Sequence, residues 1–210
     1  MCNFATKLKL INQKAGFDYK ILYFCKNADF ISTEIEIKNK SIDKKLIHKA
    51  MENKTIETNV QIYKYEELDF HIQQLINKAK EQVEKAYAPY SNFFVGAALE
   101  LENGEIFAGS NQENAAYPSG LCAERVALFF ANAQYPNVAV KSIAISAFTN
   151  GQFLKMPVTP CGSCRQVLLE TEMRFENDIS IWLYGTSEIY KIQNVKQLLP
   201  LCFEKKSFEK

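Results

Sequence analysis

The chain has 210 residues, of which 47% are hydrophobic and 23% charged, and its formal net charge at pH 7 is +1. This size and composition predict a soluble globular protein with one substantial core and an extension. The nearly balanced charge gives no general attraction to nucleic acid, and no run of about 18 apolar residues exists to span a membrane.

The charge is distributed unevenly along the chain. Residues 1–50 carry an excess of five positive charges, whereas residues 51–210 carry an excess of four negative charges. In the first part only the apolar patches 21–24 and 35–37 indicate strands, and 39–45 is typical of a solvated linker. We therefore predict a poorly ordered N-terminal extension at 1–50 and a patterned domain at 51–210, with Met51 as a candidate for the true start. The acidic domain argues against a long polyanionic substrate.

The patterned domain begins with an edge strand, predicted from the alternation of apolar residues between Thr55 and Ile62. Asp69 is a candidate N-cap for a helix that runs to about Tyr87 and that Pro89 ends. Two strands, 93–102 and 105–109, are predicted to form a hairpin. The dipeptide Asn103-Gly104 between them is typical of a type I′ turn.

The second half alternates helices with buried strands. After a loop (110–120) we predict, in order, a helix (121–134), a strand (140–147), a helix (161–172), two strands (179–184 and 188–193) and a short helix (195–199). This order predicts an α/β fold, a three-layer α/β/α sandwich around a mixed sheet. The helix 121–134 is apolar nearly all round, which predicts burial on every side, either in a large monomer core or partly in a subunit interface.

Three of the six cysteines have the spacing of metal ligands. Two residues separate Cys161 from Cys164 at the start of a predicted helix. Cys122 lies at the start of the preceding predicted helix. A catalytic zinc ion keeps three protein ligands and leaves its fourth position for water. Neither His48 nor His71 is near these residues in sequence, so we predict one zinc ion per chain with an open position. Reduced cysteines of this kind also favour the cytoplasm.

Two charged residues follow Cys122 within one helical turn. Glu124 is the candidate general acid–base group, because one carboxylate can take a proton from the attacking water and deliver it to the substrate. Three thiolates weaken the ability of zinc to acidify water, and the guanidinium of Arg125 can offset their charge by hydrogen-bonding a sulfur. As alternatives, Cys161 and Cys164 form a redox pair, or the three cysteines stabilise a non-catalytic binding module, which would have no need of Glu124.

Several runs of the sequence occur together in a characteristic order. They are 86–93 (AYAPYSNF), 95–98 (VGAA), 111–118 (NQENAAYP), 120–125 (GLCAER) and 160–167 (PCGSCRQV), with Leu198-Leu199-Pro200 and Phe203 near the end. The pattern C-x-E followed by P-C-x-x-C is a known form of the zinc-dependent nucleobase deaminase signature. Together these runs resemble the short, three-cysteine, homotetrameric class of cytidine deaminases. The resemblance covers about residues 55–203 and is silent on the first 50.

The resemblance implies zinc-dependent deamination of cytidine and deoxycytidine by a catalytic domain at 51–210, as part of pyrimidine salvage. It implies that Cys122, Cys161 and Cys164 bind zinc and that Glu124 is the acid–base group. It further implies substrate contacts by Asn111 and Glu113 to the ribose, by the Ala123 backbone to the base and by Phe93, with Phe203 reaching a neighbouring subunit's site. Another cytosine-containing substrate, such as an aminoacylnucleoside antibiotic, stays open as an alternative.

Overall fold

A computed structural model describes residues 19–23, 33–37 and 53–208. The chain divides into two compact units, Met1–Lys54 and Thr55–Lys210. In the first unit, strands β1 (Tyr19–Tyr23) and β2 (Thr33–Ile37) pair antiparallel, with Tyr19 opposite Ile37. Both coincide closely with the two apolar patches seen in the sequence. The predicted linker 39–45, Met51, His48, Cys2 and Cys25 lie outside the described residues.

The second unit is built around one seven-stranded mixed sheet. Its order is β3-β9-β8-β6-β4-β5, with β7 paired to the end of β6. Strands β6 and β8 are parallel, and the other neighbours are antiparallel. The strands are β3 (Gln61–Tyr63), β4 (Phe94–Leu101), β5 (Ile106–Ser110), β6 (Val140–Thr149), β7 (Gln152–Phe153), β8 (Ser180–Tyr184) and β9 (Ile189–Ile192).

Three helices cover the two faces of this sheet: α1 (Phe70–Gln82), α2 (Ala123–Gln134) and α3 (Gly162–Phe175). Successive strand residues point to opposite faces, and the core divides accordingly. Leu99 and Ile143 pack with α2 and α3, whereas Ala98 and Ala144 pack with α1. The predicted α/β/α sandwich around a mixed sheet is therefore confirmed.

The edges of several predicted elements were wrong. The strand predicted to begin at Thr55 is shorter and consists only of β3. The residues before Gln61 pair with no strand among the described residues. Helix α1 ends at Gln82 and tightens into a 3₁₀ turn at Val83–Lys85, so Tyr87 lies outside it. Phe70, counted on its apolar face, is 74% exposed.

The β4–β5 hairpin does not contain the expected type I′ turn. Of its two central residues only Gly104 has a positive φ, +86°, and a type I′ turn requires both. The N–H of Gly104 instead donates to the Leu101 carbonyl, and the N–H of Leu101 to the Glu105 carbonyl. This pattern is that of a three-residue loop that ends with glycine in the left-handed region.

Helix α2 is buried on one side only. Ala127, Leu128 and Ala131 are fully buried against the sheet, but Phe129 and Phe130 are 47% and 55% exposed. Phe130 packs edge-on against Phe107 of β5. The expectation that this helix lies in a large monomer core is therefore wrong, because these two rings on its outer face are about half exposed in the part of the chain that the structure describes.

Candidate active site

The topology brings the starts of α2 and α3 to the same end of the sheet. Helix α2 connects β5 to β6, and α3 connects β6 to β8; these three strands run in the same direction. Each helix therefore begins near the carboxyl end of a strand, where open α/β sheets bind their ligands. Residues distant in sequence can meet there because both crossovers pass over the same face.

The three cysteines meet at this junction. Cys122 is the N-cap of α2, Cys161 is the N-cap of α3, and Cys164 lies buried in the first turn of α3. The sulfur of Cys161 lies 3.7 Å from that of Cys122 and 3.5 Å from that of Cys164. All three sulfurs lie within 4.8 Å of one another.

This cluster fits a metal ion. Tetrahedral zinc–thiolate geometry, with bonds of about 2.3 Å, places two sulfurs about 3.8 Å apart, close to the observed distances. All three cysteines are free thiols. His71 lies far from the cluster, on the other face of the sheet, where its Nε2 is 2.8 Å from the buried carboxylate of Glu100.

The surroundings of the three thiols differ. A hydrogen bond from Cys164, followed by one from Arg125, lowers the pKa of Cys122 to about 5. The same hydrogen bond to Cys122 and burial raise the pKa of Cys164. The surroundings therefore favour the thiolate form of Cys122, which is the form in which a cysteine binds a metal ion.

Glu124 is the second residue of α2 and is only 4% exposed. Burial raises the pKa of its carboxyl group, and the negative charge of Cys122 adds to the rise. Such a carboxyl group holds a proton at higher pH than an exposed one, which suits a group that must both accept and donate a proton.

Arg125 also lies beside Cys122. Its Nη2 is 3.9 Å from the Cys122 sulfur, and its buried Nε has no hydrogen-bond partner among the described residues. The guanidinium thus places a positive charge beside the thiolate.

A cavity of about 450 Å³ opens beside Cys122. Of the predicted site residues, the structure brings Asn111, Glu113, Cys122 and Arg125 to its wall. The remaining lining residues are Tyr90, Ser91, Gln112, Asn114, Tyr117, Gly120 and Leu121. Cys161, Cys164 and Glu124 are not among the lining residues, so the cavity reaches the cysteine cluster only at Cys122.

Asn111 and Glu113 are both anchored to the turn that leads into β4 and to the first residues of that strand. The side chain of Asn111 accepts a hydrogen bond from the Val95 N–H (2.8 Å) and donates one to the Phe93 carbonyl (2.9 Å). Glu113 accepts bonds from the N–H groups of Tyr90 and Ser91 and from the Ser91 hydroxyl. The Ser91 hydroxyl and then the Tyr90 N–H hold the pKa of Glu113 below its usual value.

Tyr90 and Ser91 had no role assigned from sequence. They belong to the run 86–93 of the family resemblance, and Asn92, with φ +53°, turns the chain there into β4. The sequence gives no sign that this turn is tied to Glu113, because the partners are more than 20 residues apart.

Three predicted substrate contacts do not line the cavity of the single chain. Ala123 has a fully buried side chain, and Phe93 is half-buried directly before β4. Phe203 is 59% exposed; its ring packs edge-on against Phe208, and its carbonyl accepts a hydrogen bond from Gln166 (3.0 Å). Within the described residues, no helix is long and apolar enough to cross a bilayer.

Comparisons with known proteins agree with this site. The profile described as the cytidine and deoxycytidylate deaminase zinc-binding region matches residues 70–175. The cytidine deaminase of Sporosarcina psychrophila is 40% identical over 134 residues, which are 64% of this chain and 92% of that protein. The cytidine deaminase of Halalkalibacterium halodurans is 41% identical over 131 residues, 62% and 92% of the two chains.

The fold comparison gives the same family. The crystal structure of cytidine deaminase from Burkholderia pseudomallei is similar with a TM-score of 0.53 and 40% identity, over 65% of this chain and 100% of that one. The profile match spans half of the chain and includes all three clustered cysteines. The chain therefore belongs to the cytidine and deoxycytidylate deaminase family and is a cytidine deaminase enzyme.

Proposed function

We propose that this enzyme converts cytidine and deoxycytidine to uridine and deoxyuridine by zinc-dependent hydrolysis, with Glu124 as the acid–base group. The observation that carries the proposal is the position of a buried carboxyl group directly after Cys122, one of three sulfurs within 4.8 Å of one another. The cavity of about 450 Å³ at the same cysteine provides space for a substrate.

Cys122, Cys161 and Cys164 would hold one zinc ion per chain. When bound, zinc acts as a Lewis acid and makes water a nucleophile at neutral pH. Arg125 donates to the Cys122 sulfur and so offsets part of the negative charge of three thiolates.

Glu124 moves the protons of the reaction. Water adds to C4 of the cytosine ring, and Glu124 accepts the first proton that this water loses and delivers it to ring N3. Glu124 then accepts the second proton, from the hydroxyl group now on C4, and delivers it to the amino group. The C4–N bond breaks, ammonia leaves and the C4 carbonyl forms. Burial keeps bulk water away from Glu124 and raises the pKa of its carboxyl group, which favours the protonated form that donates to the substrate.

Asn111 and Glu113 are proposed to bind the sugar. The Asn111 amide and the Glu113 carboxylate each have more hydrogen-bonding positions than their contacts within the chain occupy, which leaves capacity for a ribose hydroxyl. The Ala123 N–H, at the first position of α2, has no partner within the helix and can reach the base. The negative charge of Glu113 disfavours a 5′-phosphate nearby, and Phe93 is proposed to pack against the nucleoside.

A homotetramer is proposed because the single chain leaves aromatic surface uncovered. Phe129 and Phe130 on α2 are about half exposed, and Phe203 stands out near the C-terminus. Oligomerisation would cover the α2 face and bring Phe203 to a neighbouring site.

We also propose a cytoplasmic enzyme of pyrimidine salvage whose catalytic domain is 51–210. Three reduced thiols are required at the metal site, which fits a reducing compartment.

The decisive experiment follows the ultraviolet absorbance of cytidine, deoxycytidine and cytidine 5′-monophosphate with wild-type protein and with Glu124→Gln. We expect deamination of both nucleosides but not of the phosphate. The variant should keep one zinc per chain and lose about 10²–10⁴-fold in kcat. Glu170→Gln, a matched change at an exposed glutamate of α3, should keep wild-type turnover.

Each other outcome selects a different function. Turnover of the phosphate would remove the role given to Glu113. An inactive, zinc-loaded wild-type protein would favour another cytosine-containing substrate, such as an aminoacylnucleoside antibiotic, or the non-catalytic binding module. Absence of zinc would favour the redox pair.

A further inference from the structure

The side chain of Arg165 donates three hydrogen bonds, and the mechanism proposed above gives it no role. It follows Cys164 in the first turn of α3 and is half-buried. Its Nε donates to the Pro160 carbonyl (2.8 Å), its Nη2 to the Thr159 hydroxyl (2.9 Å) and its Nη1 to the Leu198 carbonyl (2.8 Å). One guanidinium therefore joins three points of the chain in three directions.

The first two of these points lie in the segment that leads into Cys161. Residues 154–160 have no regular secondary structure. The Leu154 carbonyl and the Lys155 carbonyl accept backbone bonds from residues 186 and 187, but within the described part of the chain residues 156–160 hydrogen-bond only to Arg165. Pro157 and Pro160 have no N–H with which to anchor themselves.

Cys161 is the cysteine that most needs such support. Cys164 is held inside α3 and buried, whereas Cys161 is exposed and its side chain accepts no hydrogen bond from the N–H groups of the helix that it caps. Its position is fixed by the helix on one side and by the Pro160 peptide on the other.

The third point ties the same guanidinium to the C-terminal segment. Leu198 ends the 3₁₀ turn Val195–Leu198, and the next side chain on α3, Gln166, donates to the Phe203 carbonyl. Arg165 and Gln166 thus hydrogen-bond the segment 198–203 to the start of α3.

We propose that Arg165 is a positioning residue that presets the distance between Cys161 and the other two sulfurs, and so the affinity of the site for its metal. The inference rests on the metal site of the proposed function. It requires arginine, because the planar fork satisfies three acceptors at once, whereas a lysine ammonium is a single point on a flexible stem.

The test compares Arg165→Ala and Arg165→Lys with Arg174→Ala in the full chain. Arg174 is a matched control on the same helix, since it also donates to a proline carbonyl, that of Pro136 (2.6 Å), away from the cysteines. Zinc chloride is titrated into metal-free protein against a chromogenic chelator, and the Co²⁺–thiolate absorption band is recorded. Unfolding of the metal-free proteins is followed in urea.

We expect both Arg165 variants to bind zinc about 10–100-fold more weakly than wild type, as for other changes behind metal ligands, and to shift the Co²⁺ band. Arg174→Ala should bind as wild type does. A role in folding alone would lower the urea midpoint while the folded protein kept wild-type zinc affinity, and that result would overturn the proposal. If Arg165→Ala does not fold, Arg165→Lys decides, and wild-type affinity in it would be equally contradictory.

The wild-type measurement separates the two levels of inference. If wild-type protein binds no zinc, the proposed metal site fails and the role of Arg165 fails with it. If it binds zinc and deaminates cytidine while the Arg165 variants bind equally tightly, only the positioning role is refuted.

Discussion

Gly109 sets how closely α2 approaches the sheet, and Gly109→Ala tests whether that distance controls the site. A Cβ at this residue of β5 would lie 2.7 Å from the Ala127 nitrogen and 3.0 Å from the Ala123 carbonyl oxygen. Both neighbours are backbone atoms of α2, so no side-chain rotation relieves the clash. The helix that carries Cys122 and Glu124 has to move instead.

The size of the movement follows from these distances. Ordinary contacts begin at 3.4 Å, so α2 must retreat by about 0.7 Å, and overpacking of this kind costs about 1–3 kcal/mol of stability. Metal–ligand distances tolerate only about 0.2 Å. A misplacement approaching 1 Å in a catalytic group reduces turnover by about 10²-fold. We therefore expect weaker zinc binding, lower kcat/KM and a lower urea midpoint in this variant.

The control is Gly162→Ala, which changes a glycine much closer to the metal ligands in sequence. A Cβ at Gly162, the first residue of α3, meets no atom within 4 Å, and alanine is preferred to glycine in helices by about 0.5–1 kcal/mol. This variant should keep wild-type activity and be equally or more stable. The reasoning is refuted if Gly109→Ala retains wild-type zinc affinity and kcat/KM, or if Gly162→Ala is the more damaging change.

Three further changes test other parts of the molecule. Glu113→Gln should raise KM for cytidine by about tenfold or more with a smaller effect on kcat; an effect confined to kcat would contradict sugar binding. Phe129→Glu should reduce the molar mass measured by light scattering, and an unchanged mass would place the subunit contact elsewhere. Burial raises the pKa of Glu172, whose Oε1 accepts the N–H groups of Ile179 and Val195. A raised folded-state pKa stabilises the fold at low pH, and this contribution is lost as the pH rises above 4.5. Glu172→Gln can keep both hydrogen bonds and has no group to ionise, so its urea midpoint should rise relative to that of the wild type as the pH increases. Urea midpoints of the two proteins that change in parallel with pH would argue against a free-energy cost of ionising the buried Glu172.

Apart from the two-residue strand β7, which was expected to be a loop, the sequence predicted the order of strands and α-helices in the second unit, because buried strands and amphipathic helices have clear periods. The predicted boundaries were wrong where they depend on pairing with a strand distant in sequence. The alternation from Thr55 is typical of a strand, yet only Gln61–Tyr63 pairs with β9. Asn103-Gly104 marks the position of the turn, but the pairing of Leu101 with Glu105 sets the loop length and hence the turn type.

The same limit applies to the site. The cysteine spacing and Glu124 are local patterns, so they are visible in the sequence. The attachment of Ser91 to Glu113 and of Arg165 to Leu198 joins segments that only the fold brings together. The outer face of α2 was predicted to be buried because Phe129 and Phe130 are apolar, and composition does not distinguish a core from a subunit contact.

The direction of the two crossovers explains how the site carries several negative groups in a small space. Two helix starts meet at the cysteines, and each helix N-terminus favours a nearby negative charge by about 0.3–1 kcal/mol. Arg125 adds a full positive charge beside Cys122. These positive contributions offset part of the negative charge of the thiolates. The Glu124 carboxyl group therefore does not need contact with water to reduce its repulsion from them. The carboxyl group can therefore stay buried beside the cysteines, where its raised pKa fits the proton transfer that we propose for it.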